Sequence, residues 1–159
     1  MESLDEKKSG ASARLASYEK RVQAVLIDAG ILLAANLPIA LATGFFHRSG
    51  RHGFHWPTKP ELLFFLIAVV IFLAINGKLL ARHGQTVGKR IIGTRIVGLD
   101  GNLVPFARLF LLRYLLPGLI VRLTCLGGLF AAADALYALN GDRRCIHDHF
   151  AGTKVVETE

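Results

Sequence analysis

The side chains that could do chemistry in this chain are few, and most of them sit inside apolar sequence. Arg21 and Asp28 lie seven residues apart where Tyr18-Glu-Lys-Arg21 runs into the apolar stretch Val22–Phe46, which also holds Asn36. At helical rise that stretch spans roughly 37 Å, more than the roughly 30 Å of a hydrocarbon core. A carboxylate one or two turns inside such a helix costs a few kcal/mol on insertion scales, so it belongs against protein or a cavity rather than lipid. The seven-residue spacing puts Arg21 and Asp28 on nearly the same helix face. It predicts an Arg–Asp axis turned to the interior. The chemistry open to such a pair is uptake and release of a proton or a monovalent cation, with the arginine tuning the carboxylate through opposite charge.

Further along stand Arg113, Arg122 and Asp134, also at membrane level, and then Asp148 between His147 and His149. Unpaired, each membrane-level charge is expensive; facing one another or Asp28, they form an internal network. No nucleophile–base pair is evident, so no enzymatic activity and no cofactor are expected. His52 and His55 have no local cysteine or carboxylate, and the His147-Asp148 doublet lacks other histidines and acids at the places a metal hydrolase would need. No metal site is therefore expected. Cys125 and Cys145 read as small buried or interfacial residues, not a disulfide framework.

The elements that must position these groups follow from composition. The chain has 159 residues, 52% of them hydrophobic, with a formal net charge of +7 and a mean hydropathy of +0.43. A small multi-pass membrane protein combines these features; an average soluble domain does not. The basic excess fits loops facing anionic lipid, so the bilayer and not nucleic acid is the expected partner: most aromatics lie inside the apolar runs, not interleaved with Lys and Arg.

Residues 1–17 read as a polar tail, and Met1–Lys20 lacks the short h-region and small-residue site of a cleavable signal. Pro38 is expected to loosen the first helix near Ala34, with Asn36 one turn away as a second polar contact or as interhelical glue. His47–Pro60 is a short loop in which Trp56 anchors at the interface. Leu62–Ile75, extended through Asn76 to Ala81, is a second span, with Lys78 snorkelling. The Lys- and Arg-rich loop after it contains a Gly-Lys pair but not the spacing of a phosphate loop, and Gly84, Gly88 and Gly93 read as turn and packing residues. Arg95–Leu99 is β-prone, Asp100-Gly101 suits a type I′ turn, and Asn102–Val104 is expected to return. Ile96–Leu99 and Thr153–Val156 can pair if they lie on one membrane side.

Pro105–Asn140 is long for one span and is interrupted at Arg113, Pro117-Gly118 and Gly127-Gly128. It is expected to form two membrane-embedded helices joined near Cys125–Gly128. Such a hairpin returns the chain to its starting side and leaves most Lys and Arg there, so both termini are expected to be cytoplasmic. The fold class is thus an all-α membrane protein with two transmembrane helices, a helical hairpin (four spans if both arms cross) and a small cytoplasmic β-element.

Three ordered blocks carry a resemblance: Arg21-Val-Gln-Ala-Val-Leu-Ile-Asp28, Gly84-Gln-Thr-Val-Gly-Lys-Arg-Ile-Ile-Gly-Thr-Arg-Ile-Val97 and His147-Asp-His-Phe-Ala-Gly-Thr-Lys-Val-Val156. Over residues 18–156 the chain resembles RDD family proteins, small membrane domains named for one arginine and two aspartates. The resemblance implies that the arginine is Arg21 and the aspartates Asp28 and Asp148, with Asp134 a further acidic position. It also implies a cell (inner) membrane protein, for which transport of an unidentified ligand is the usual suggestion. Two function classes follow. One is transport of a monovalent cation or a proton-coupled ligand, with the protein as a homo-oligomer. The other is a non-catalytic accessory or assembly subunit beside other membrane subunits. Arg21 is expected near Asp28 or Asp148.

Overall fold

The computed structural model describes residues 14–43, 58–123, 127–137 and 144–158. Most of the polar tail, Phe46, the loop residues His47, His52, His55 and Trp56, Cys125, and the side chain of Arg122 lie outside the described parts.

Two helices dominate. Helix α1 (Tyr18–Ala42) starts at Ser17, whose hydroxyl accepts the Lys20 N–H at 3.3 Å. Helix α2 (Lys59–His83) starts at Thr58, where Glu61 accepts both the Thr58 backbone N–H (2.7 Å) and its hydroxyl (3.0 Å). It stops at Gly84, whose φ of 63° a side chain would resist. Each runs 25 residues and is long and apolar enough to cross a membrane. Leu26, Leu33, Leu63, Leu66 and Val70 point outward, an apolar surface suited to lipid and costly in water. Pro38 lies inside α1 without ending it. Among the described residues Asn36 bonds to no other helix: its Nδ2 donates to the Leu32 carbonyl one turn back, at 2.8 Å. A short polar side chain in an apolar helix finds that acceptor first.

The short helix α3 (Val87–Ile92) is capped by the Thr86 side chain and closed by Gly93 at φ 73°. Strands β1 (Thr94–Gly98) and β2 (Thr153–Glu157) pair antiparallel, Thr94 opposite Glu157 and Gly98 opposite Thr153. The expected pairing forms, one residue earlier on the first strand. The expected return of Asn102–Val104 does not form. Gly98 donates to the Asn102 carbonyl at 2.8 Å and Gly101 to the Gly98 carbonyl at 3.0 Å, while Asp100 accepts the Asn102 backbone N–H and side-chain amide. These bonds close a compact turn, and on that edge of β1 the Ile96 N–H is already taken by the Gly84 carbonyl at 2.8 Å. The tail contributes instead: Leu15 bridges Val156, and Ala16 donates to the Val155 carbonyl at 3.0 Å. The start of α1, the end of α2 and both ends of the described chain therefore meet at one end of the molecule.

Helix α4 (Phe106–Leu109), a wide π turn (Phe110–Leu115) and helix α5 (Leu116–Leu123) follow one another with helical backbone at both joins. Pro117 has no N–H for the Arg113 carbonyl and crowds it, which explains a widened turn just before it. Helix α6 (Gly127–Tyr137) packs on α5, as two neighbouring helices should, while the joint expected near Cys125 lies outside the described residues. Among the described residues only α1 and α2 have the length and apolarity of a full span. Helix α7 (Ile146–Ala151), closed by Gly152 at φ 61°, leads into β2. Ala16, Leu80, Ile96, Leu109 and Val155 form the core beneath the sheet, with Phe72, Phe106 and Tyr114 packed against them.

Candidate functional site

Asp148 is fully buried and is the point on which the chain's distant parts converge. Its Oδ2 accepts from Arg21 at 3.1 Å and from the Cys145 backbone N–H at 3.1 Å. Its Oδ1 is ion-paired with Arg113 and accepts the Thr153 hydroxyl at 3.2 Å. Arg113 also donates to the Thr153 hydroxyl at 2.7 Å, and Arg21 to the Val155 carbonyl at 3.5 Å. Sequence position explains the geometry. Asp148 is the third residue of α7, where its carboxylate caps the helix; Arg113 arrives on the π turn and Arg21 on the first turn of α1. A buried carboxylate with two guanidinium partners and two further donors has its accepting capacity filled. Such a group ties elements together and is poorly placed to release or take up an ion.

The Arg21–Asp28 axis expected from spacing is therefore corrected: Arg21 turns to Asp148, and the polar partners of Asp28 are elsewhere. Seven residues separate the two groups by about 10 Å along the axis, and helical side chains lean toward the N-terminus. Arg21 consequently reaches the sheet end, beyond range of the short Asp28 side chain.

A second cluster adjoins the first. Asp134 accepts the His147 backbone N–H at 2.8 Å and pairs with its Nδ1 at 2.5 Å. A carboxylate can only accept, so Nδ1 carries the proton. Burial, then the charge of Arg113, holds the His147 pKa down to about 4 against the opposing pull of Asp134. Donor atoms of Asp134, Cys145 and His147 lie within 4.8 Å of one another. This is a grouping that sequence spacing did not reveal, and it offers three possible metal donors. It falls short of the four of a structural zinc site, and the neighbouring guanidiniums of Arg21 and Arg113 oppose a cation there. Burial, and next the charge of Asp134, also pushes the Cys145 thiol pKa up, away from the thiolate a metal would take.

A pH dependence of stability follows from His147. The unfolded chain takes up this proton near pH 6.5 and the folded chain only near 4, so between those values the unfolded state binds more protons. The contribution of neutral His147 is complete above about pH 6.5 and is lost as pH falls toward 4, on the order of 3 kcal/mol in all. The thermal midpoint in neutral detergent should drop between pH 7 and pH 5, and His147→Gln should flatten that slope. Equal slopes would show that His147 is not the group responsible.

Asp28 sits in a different environment. Its Oδ2 accepts the Thr86 hydroxyl at 2.5 Å and its Oδ1 the Gly88 backbone N–H at 2.7 Å. Gly88 lets α3 press against α1: a Cβ there would run into the Ala24 carbonyl oxygen and lie 2.9 Å from Asp28 Cγ. Asp28 faces a cavity of about 370 Å³ between α1, α2 and the π turn, lined by apolar side chains apart from Asp28, Thr86, Lys89 and Tyr114. Of the residues singled out from sequence, the structure thus gathers Arg21, Arg113, Asp148, Asp134 and His147 at one centre. It leaves Asp28 at a second and Asn36 at neither.

Residues 15–152 match the family described as RDD. The chain is 38% identical over 96 residues to the uncharacterized protein YckC of Bacillus subtilis (strain 168), a match covering 60% of this chain and 62% of that protein. No solved structure matches it. With Arg21, Asp28 and Asp148 in place and the match running through nearly all of the described fold, the chain belongs to the RDD family.

Proposed function

We propose that this protein is a small multi-pass transporter of the cell (inner) membrane in which Asp28 carries a proton or a monovalent cation. The supporting observation is the contrast between its two motif aspartates. Asp148 is filled by two guanidiniums, whereas Asp28 is held by one hydroxyl and one backbone N–H at the wall of a cavity. A carboxylate so held keeps lone pairs for a proton or cation and has an open side from which to receive it. In this reading the Arg21–Asp148–Arg113 group holds the sheet end rigid while Asp28 exchanges its ion. The α4–α6 hairpin returns the chain, so both termini lie on the cytoplasmic side with the basic segments, in keeping with the positive-inside rule. A pathway through so small a chain requires more than one copy.

The test is flux into proteoliposomes across a panel of monovalent cations and under an imposed pH gradient, with Asp28→Asn beside wild type. Asparagine keeps the size and can still accept from Gly88 and donate to Thr86, but it cannot exchange a proton. The expected outcome is a folded variant whose flux falls to the level of empty vesicles. Undiminished flux in Asp28→Asn, or none in wild type for any ion, removes the transport reading and leaves that of a non-catalytic accessory subunit.

A further inference from the structure

The cavity that Asp28 faces also holds a lysine whose charge is unmatched. Lys89 is 7% exposed and lines the cavity. Its backbone is engaged, the N–H by Thr86 and the carbonyl by Thr94. Its ammonium has no hydrogen-bond or ion-pair partner among the described residues. The Tyr114 hydroxyl, on another wall of the same cavity, is likewise buried and without a partner among them. The Tyr114 hydroxyl is thus a buried donor with no acceptor, which is costly, and the Lys89 ammonium is a cation at the same cavity with no anion on it. Asp28 supplies an opposite charge in the same cavity but closes no ion pair with Lys89, because Thr86 and Gly88 hold its carboxylate. The donors therefore call for an acceptor brought from outside.

The remaining walls say what carries it. Val25, Leu32, Phe65, Val69, Phe72 and Phe110 are apolar, and Tyr114 packs at a tilt against Phe72 with ring centres 4.9 Å apart. Val25 is also among the outward-facing residues of α1, so the cavity reaches the surface that α1 presents to lipid. Its volume of about 370 Å³ is in the range of pockets that enclose a small ligand.

We propose that this cavity binds a single-chain amphiphile with an oxyanion head, a carboxylate or a phosphate. Lys89 and Tyr114 receive the head, and the chain lies among the aromatic and aliphatic side chains of α1, α2 and the π turn. This rests on the transport reading of Asp28 and names its ligand class. A proton on Asp28 removes a negative charge from the anion's surroundings, so proton and anion favour each other's binding, and each changes the other's affinity by the same factor. The pair then moves as a symport.

The test uses the full chain in a neutral maltoside detergent, with laurate, monododecyl phosphate, dodecanol and inorganic phosphate as probes. Laurate and dodecyl phosphate should raise the thermal midpoint saturably, while dodecanol and inorganic phosphate should not. Lys89→Met should stay folded, since it removes an unmatched charge, and should bind laurate at least tenfold more weakly; Tyr114→Phe should weaken it several-fold. In Asp28→Asn, laurate should still bind, but proton-coupled laurate uptake into proteoliposomes should be lost. Wild-type laurate affinity in Lys89→Met overturns the proposal, as does dodecanol matching laurate or inorganic phosphate alone giving the full shift. Should the methionine variant not fold, unchanged affinity in Tyr114→Phe overturns it equally. Laurate binding without flux removes only the transport reading, and cation flux without laurate binding removes only the ligand class.

Discussion

Asp148→Asn should cost about 3–5 kcal/mol, because it leaves Arg21 and Arg113 in the interior without their shared counter-charge. The expected result is little or no monodisperse protein in detergent. Arg21→Met leaves the Asp148–Arg113 pair intact and neutral, so its cost should be clearly smaller than that of Asp148→Asn. Adding Arg113→Met to Asp148→Asn should recover part of the loss, since only Arg21 then remains unpaired, whereas adding Asp28→Asn to Arg21→Met should not. Thermal midpoints of the single and double variants give the coupling directly. Strict additivity of the Arg113 and Asp148 changes would show that the ion pair contributes nothing.

Gly88→Ala should be nearly as damaging, about 3 kcal/mol, the upper part of the range for overpacking. The atom in the way is the Ala24 backbone carbonyl oxygen of α1, which cannot rotate aside as a side chain could. Helix α3 must therefore move off α1, and the Gly88 N–H would lose Asp28. Yield and midpoint should fall together, and flux with them. Gly30→Ala is the control, because nothing lies within 4 Å of a Cβ added at that position. A Gly88→Ala variant as stable as Gly30→Ala would mean that α1 and α3 do not approach this closely.

Much of the framework was legible in the residues. Apolar runs of spanning length gave α1 and α2, β-prone segments gave the pairing of β1 with β2, and the glycines at 84 and 93 marked turns. What failed was mostly the choice of partner. Periodicity places Arg21 and Asp28 on one face but says nothing of where a long side chain ends, and Arg21 reaches the sheet end instead. The contacts of Asp28 with Gly88 and of Asp134 with His147 depend on how separate helices are rotated against each other, which local pattern does not encode. Lys89 reads in sequence as one more basic loop residue. Only the packing of α3 against α1 buries it. The π turn had a visible signal in Pro117, which suggested an interruption but not a widened helix carrying Arg113 and Tyr114 to two different sites.

If the two motif aspartates have separate tasks, Asp148 holding the fold and Asp28 serving the proposed transport, their losses must differ. The most direct test is the thermal midpoint of purified Asp28→Asn and Asp148→Asn, side by side in the same neutral detergent at pH 7.5. The structure predicts a midpoint close to wild type for Asp28→Asn and a large drop, or no folded protein, for Asp148→Asn. Equal losses in the two variants, or a stable Asp148→Asn beside an unstable Asp28→Asn, would contradict it.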